Sequence, residues 1–156
     1  MKKIVVGCDP DSEKSGIAVY FGDKLMRLES MTLMEVSCLL KGLPYPYDNH
    51  FEEVKVELHI ENVNGISSNA FNTKSKDLLP VKLKKAEHVG KCKQVQIEIE
   101  RMAENFNIKV VHHKVSKQWK DSKTGRAALE RNTGWTGQSN EDTRSAAYFG
   151  FIGSRP

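Results

Sequence analysis

The sequence of 156 residues predicts an α/β fold. The expected architecture is a mixed five-stranded sheet, an antiparallel β1–β3 meander followed by alternating strands and helices, with helices on both faces. Three observations predict it. Residues 3–8 are a nearly continuous apolar run of strand length, as in a strand buried on both faces. Two further strand-like segments follow at once, separated by a tight turn. Beyond residue 32 the apolar spacing alternates between helical and strand periods.

Each element has its own signal. After the first strand, Asp9 to Ser15 is polar and turn-like. Gly16 to Phe21 reads as the second strand, and Gly22-Asp23 supplies a hairpin turn. Lys24 to Met31 is the third strand, with Leu25, Arg27, Glu29 and Met31 expected on one face. Thr32 is an N-cap with Glu35 three residues on, and Leu33, Val36, Leu39 and Leu40 follow helical spacing until Gly42 and Pro44 end the helix. Pro44 to Glu53 reads as a Pro/Tyr/acidic loop. From Val54 to Ile60, Val54, Val56, Leu58 and Ile60 are expected inward and Lys55, Glu57 and His59 outward, giving a fourth strand that ends at Glu61.

Residues 62–82 are rich in Asn, Ser and Lys and read as a loop. Leu83 to Phe106 carries apolar residues at helical spacing and is the longest predicted helix, basic in its first half and acidic in its second. Gly90 inside it costs about 1 kcal/mol relative to Ala. Ile108 to His112 is a fifth strand. Residues 113–139 look irregular, with a helical turn at Ala127 to Arg131. The last helix starts at Ser139 or Asn140, with Glu141 and Asp142 in its first turn where the helix dipole favours acids. No repeat or linker divides the chain, so residues 1–156 are expected to form a single domain.

The chain carries 24 Lys+Arg against 20 Asp+Glu, a net charge of +4. The excess is local. Residues 109–131 hold seven basic residues against Asp121 and Glu130, which is +5, and the remaining chain is near −1. Such a strip is either an electrostatic footprint for phosphate or a solvated Lys-rich loop. Lys114, Lys117 and Lys120 recur at every third position around Trp119, and Lys123 and Arg126 follow. Trp119 has two readings, a platform for a stacked base or an anchor that packs the loop on the core. No apolar run approaches the ~20 residues that span a bilayer, and the N-terminus turns charged too soon for a signal peptide. Cys8, Cys38 and Cys92 are too widely spaced for a metal or disulfide framework and suit a reducing, cytoplasmic setting.

Three acids occupy equivalent places: Asp9 at the exit of the first strand, Glu61 at the exit of the fourth, Asp142 in the first turn of the last helix. If the first and fourth strands are neighbours, the two exits adjoin, and a helix packed on the sheet brings the third acid to the same edge. Converging carboxylates raise each other's pKa, a conflict that a divalent cation resolves. Metal ions so held can activate water and stabilise a leaving oxygen in phosphodiester cleavage. Taken singly, each acid is equally a strand-end or capping residue. The His112-His113 pair near this edge reads as an ordinary core or surface pair.

Gly7-Cys8-Asp9-Pro10-Asp11-Ser12-Glu13-Lys14-Ser15-Gly16 resembles the first motif of the RuvC-type Holliday junction resolvases of the ribonuclease H-like superfamily. Ile60-Glu61-Asn62-Val63 is similar to their second motif. Asn140-Glu141-Asp142-Thr143-Arg144-Ser145-Ala146-Ala147 resembles the C-terminal helix motif, especially of phage-type members.

The resemblance spans the chain in element order and implies a ribonuclease H-like fold. It implies an Mg²⁺-dependent endonuclease, with Mn²⁺ as substitute, that makes paired nicks in four-way DNA junctions as a homodimer. Asp9, Glu61 and Asp142 match the catalytic, metal-binding positions. Ser145 stands where the family has its final Asp, so that either Glu141 compensates or a second metal is held more loosely. Asp11 replaces a Gly and is either a spare ligand or a turn residue, the turn being the favoured reading.

The implied DNA contacts are Lys114, Lys117, Lys120, Lys123 and Arg126. Asn64 holds the place of the family's junction-centre aromatic, with Phe71 as its substitute, and the helix 83–106 matches the dimerisation helix. Three other functions fit parts of the pattern: a nuclease for other branched DNA or structured RNA, a non-catalytic nucleic-acid-binding domain, and a phosphotransferase with an actin-like phosphate loop. Chain length argues against the last.

Overall fold

The structure, a computed structural model, describes residues 2–43, 54–66, 74 and 76–155. Phe71 and the loop from Pro44 to Glu53 lie outside them. Five strands, β1 (Lys2–Asp9), β2 (Ser15–Phe21), β3 (Lys24–Met31), β4 (Val54–Glu61) and β5 (Lys109–His113), form one sheet in the order β3-β2-β1-β4-β5. β1, β2 and β3 pair antiparallel, while β4 and β5 run parallel to β1. This is the expected mixed five-stranded α/β sheet.

Helices cover both faces. On one, α1 (Leu33–Gly42) and α2 (Leu79–Asn105) bury Val36, Leu40, Ile99 and Ala103 against Val6, Cys8, Ile17, Leu58 and Ile60. On the other, α3 (Thr124–Thr133) and α4 (Glu141–Ser154) bury Leu129, Ala146 and Ala147 against Val5, Ala18, Tyr20, Leu25 and Leu28. Each fully buried large side chain of this kind contributes roughly 1.5–3 kcal/mol. Among the described residues no helix is long and apolar enough to cross a membrane.

Local signals set most boundaries. Thr32 and Glu35 form the expected reciprocal cap of α1. Asn140 caps α4, its side chain taking the Thr143 N–H at 2.8 Å while its own N–H donates to Thr143 Oγ1 at 2.9 Å. Asn107, at φ 55°, turns the chain out of α2, and the Ile108 N–H donates back to the Ala103 carbonyl at 2.8 Å.

Four expectations change. α2 begins at Leu79, not Leu83, because Pro80 fits its first turn, where no N–H is needed. The supposed helical turn near Ala127 is the ten-residue α3. In β3 a register shift opposite Val19 and Tyr20 leaves Met26 unpaired, so Leu25 and Leu28 share the α4 face and only Met31 reaches the other core. In β4 the side expected outward is buried, with Glu57, His59 and Glu61 each under 7% exposed. α4 roofs that side.

α4 lies on the sheet almost backbone to backbone. A Cβ on Gly7 would come within 2.0 Å of the Ala146 carbonyl oxygen, and one on Gly16 within 2.1 Å of the Asp142 carbonyl oxygen. The buried Tyr20 hydroxyl donates to the Ala147 carbonyl at 2.8 Å and fixes the seat of the helix. By contrast, a Cβ on Gly90 meets nothing within 4 Å. Gly7→Ala is therefore expected to destabilise the protein by roughly 1–3 kcal/mol, an overpacking cost. Gly90→Ala should stabilise it by about 1 kcal/mol. Urea unfolding of the two variants checks both signs.

Candidate active site

The parallel register of β1 and β4 runs through Gly7 opposite His59 and Cys8 opposite Ile60, so the next step sets Asp9 beside Glu61. Side chains alternate along a strand. Asp9 thus shares the α4 face with Val5 and Gly7, and Glu61 shares it with Glu57 and His59. Asp142, in the first turn of α4, is brought to the same edge by the close contact at Gly16. The three carboxylates line one cavity of about 760 Å³, with Asp11, Lys120 and residues of α2 on its other walls.

Lys120 is the fourth member of the cluster. Its Nζ lies 3.1 Å from Asp9 Oδ2 and 3.3 Å from Glu61 Oε1. Asp9 Oδ2, though buried, has this ionic neighbour but no geometrically formed hydrogen bond among the described residues. The loop that carries Lys120 is strapped down from beneath. Buried Arg144 donates to the carbonyls of Trp119 (3.0 Å), Lys120 (2.6 Å) and Ser139 (3.2 Å). Trp119 is buried against Tyr148 and Phe151, in the left-handed region at φ 59°. A non-glycine residue keeps that conformation only where surrounding contacts over-determine it. The Ser116 N–H also donates to Glu61 Oε1 at 3.1 Å.

The electrostatics follow from this crowding. Burial, and next to it the charge of Asp9, push Glu61 well above the ordinary carboxylate range. Burial, with Asp9 and Asp11, pushes Asp142 up to about 6. Burial lowers the affinity of Lys120 for its proton, but Asp9 and Glu61 outweigh it and the net shift is upward. One ammonium among three carboxylates leaves negative charge in a confined space. The all-oxygen donor set of Asp9, Glu61 and Asp142, with more carboxylates than ammonium groups and an Asp9 Oδ2 that lacks a hydrogen bond among the described residues, fits a hard divalent cation such as Mg²⁺.

The structure thus brings Asp9, Glu61 and Asp142 together and leaves Glu141 outside. Glu141 is exposed and does not line the cavity, because adjacent helical residues point about 100° apart. Ser145 lies on the buried face of α4, its Oγ without a hydrogen-bond partner among the described residues. Lys114, Lys117, Lys123 and Arg126 are exposed. Lys120 turns inward instead of joining that strip, since Arg144 and Trp119 hold its backbone against the sheet. Of the two readings of Trp119, the packing anchor is the one observed.

Asp11 is a turn residue, its Oδ1 taking the Glu13 N–H at 3.2 Å, but it also faces the cavity. His112 pairs with Glu100 at 2.8 Å, and His113 stacks on His59 and Phe149. Sequence reasoning missed the place of Lys120 and the role of Arg144. The only available signal was a lone Arg on an otherwise apolar helix face.

No family model matches the sequence, and no curated protein matches it. Solved structures do. A Thermus thermophilus RuvC in complex with Holliday junction substrate superposes with a TM-score of 0.59 at 12% identity, covering 96% of this chain and 90% of that one. A second Thermus thermophilus RuvC structure gives 0.54 at 11% identity, covering 95% and 91%. The chain has the ribonuclease H-like fold of RuvC.

The raised carboxyl pKa values have a stability consequence. Between the ordinary Asp value of 3.8 and about 6, the folded protein binds more protons at Asp142 than the unfolded chain does, so this group costs stability as pH rises through that window. Glu61 acts in the same sense. Lys120 has the opposite profile: its contribution is present at neutral pH and is lost only as pH climbs above the ordinary lysine value of 10.5. Relative to the wild type in chelator, Asp142→Asn is expected to gain stability progressively as pH rises from 4 to 6. Urea midpoints across that range measure the difference.

Proposed function

We propose that the protein is a metal-dependent endonuclease that nicks four-way DNA junctions in pairs, acting as a homodimer. The observation that carries this reading is the convergence of Asp9, Glu61 and Asp142 on one cavity at the carboxyl edge of β1 and β4, with the ammonium of Lys120 between the first two. Asp9, Glu61 and Asp142 would hold Mg²⁺, or Mn²⁺ in its place, which supplies Lewis-acid stabilisation of the phosphate and a lowered pKa for bound water.

The chain's own residues do the rest. Lys120 offsets part of the repulsion between Asp9 and Glu61 and holds the two side chains in a fixed position. Asp142, its pKa raised by burial and by Asp9 and Asp11, adds a third carboxylate to the ligand set at the same edge. Exposed Lys114, Lys117, Lys123 and Arg126 offer charge to the flanking phosphates. The junction as substrate is supported by the Thermus thermophilus protein of the same fold, seen with a Holliday junction. Exposed Leu78, Leu79, Val81 and Leu83 at the start of α2 supply apolar surface for a second copy.

Labelled four-way junction, linear duplex and structured RNA, each incubated with the protein and Mg²⁺, test the reading. Symmetric nicks on the junction alone are expected. Asp9→Asn, Glu61→Gln and Lys120→Met should each lower the rate by on the order of 100-fold or more, since even outer partners of a metal ligand matter ~10–100-fold. Lys117→Ala and Lys123→Ala should each reduce the salt slope of junction binding by about 1. Equal cleavage of all three substrates excludes junction selectivity. Salt-sensitive binding without cleavage in Mg²⁺ or Mn²⁺ excludes a nuclease.

A further inference from the structure

The wall of the cavity opposite the carboxylates has a different donor chemistry. α2 places His88 and Cys92 one turn apart on the same face, and the β1–β2 loop brings Asp11 against them. His88 Nε2 lies 3.7 Å from Asp11 Oδ2 and 3.7 Å from Cys92 Sγ, and the three donor atoms all fall within 4.8 Å of one another. An N···O separation of 3.7 Å is too long for a hydrogen bond. It matches the edge of a coordination tetrahedron: bonds of about 2.0–2.3 Å to zinc set donors roughly 3.3–3.8 Å apart.

We propose that Asp11, His88 and Cys92 form a second metal site, selective for Zn²⁺ and separate from the all-oxygen carboxylate cluster. The surroundings are organised for it. Asp11 Oδ1 is occupied by the Glu13 N–H at 3.2 Å and the Ser12 hydroxyl at 3.4 Å, which leaves Oδ2 directed at His88. Ser12 Oγ also lies 3.3 Å from His88 Nδ1. When Nδ1–H donates to that hydroxyl, Nε2 presents its lone pair toward Asp11 and Cys92, the usual outer-shell arrangement of a metal-binding histidine.

Thiolate and imidazole donors favour Zn²⁺ or Co²⁺ over Mg²⁺, so the two sites sort metals by softness. Three protein ligands leave a fourth position, as in zinc sites that bind water or substrate. All three ligands line the same cavity as Asp9, Glu61 and Asp142, so the fourth ligand is drawn from that cavity: water, or an oxygen of a bound phosphate. The site spans β1–β2 and α2 and does not depend on the nuclease reading.

The test is Co²⁺ titration of the full-length, chelator-treated protein without nucleic acid, followed by absorption. A thiolate-to-cobalt charge-transfer band with tetrahedral ligand-field bands is expected, displaced by Zn²⁺ and unaffected by excess Mg²⁺. Cys92→Ser should abolish the charge-transfer band. His88→Ala, at an exposed position that tolerates truncation, should weaken binding at least tenfold, and Ser12→Ala by roughly 10-fold. Asp9→Asn and Cys38→Ser should leave the band in place. A missing band in the wild type overturns the proposal, as does a band that survives His88→Ala or one that disappears with Asp9→Asn or Cys38→Ser. Folding of each variant is checked by circular dichroism. Loss of junction cleavage with this band intact would count against the nuclease reading alone.

Discussion

α4 lies on β1 and β2 close enough for main chain to touch main chain, and the position of every acidic group in the cavity depends on that contact. Gly7 and Gly16 are the two points of approach. Any side chain there would meet a carbonyl oxygen of the helix near 2 Å, and the helix would have to lift. Lifting it would uncover Glu57, His59 and Glu61 on the roofed face of β4 and draw Asp142 away from Asp9. It would also release Arg144, whose three carbonyl contacts hold the Lys120 loop against the sheet. One steric condition thus positions three carboxylates and their counter-cation together.

The second organising force is electrostatic and opposes the first. Packing gathers acids that repel one another, and burial strengthens the repulsion by removing water. Lys120 answers part of it. What remains is expressed in the raised proton affinities of Glu61 and Asp142. A structure that concentrates uncompensated charge holds a site less stable than its surroundings would allow, and that cost is the usual companion of cation binding. The same strand shows the opposite case, a buried carboxylate that is neutralised. Glu57 is surrounded by Lys3, Lys55, Lys109 and His59, and its pKa is driven down. Glu57 and Glu61, four residues apart on one face of one strand, thus differ in sign: the first is neutralised by several cations and its pKa falls, the second is crowded by acids and its pKa rises.

Much of this was legible in the residues. Capping at Thr32 and Asn140, the hairpin at Gly22 and the apolar run of β1 all follow from short-range rules, and the structure has them; that β1 and β4 are parallel neighbours was only a condition of the sequence argument, which the sheet order supplies. Asp9, Glu61 and Asp142 could be placed at one edge because strand exits and helix starts are local features with a shared geometry. β3 was misread because a bulge is a property of two strands: Met26 is extra only relative to Val19 and Tyr20. The face of β4 was misread at Glu57 and His59, which look solvent-seeking until a helix covers them, whereas Lys55 is exposed as expected. Phe71 lies where the structure describes nothing.

By itself the sequence determined the order and type of the five strands and of the first, second and last helices, and it singled out Asp9, Glu61 and Asp142 as acids at strand exits and a helix start, because periodicity, caps and turns act over a few residues. Only the tertiary structure decided that Lys120 belongs with the acids and not with the exposed basic strip. It also decided that Trp119 packs inward, that Glu141 faces out, and that Asp11 meets His88 and Cys92. Those outcomes turn on where a loop is pinned and how near two backbones come. Such distances are set by contacts between residues far apart in the chain, which local patterns do not encode.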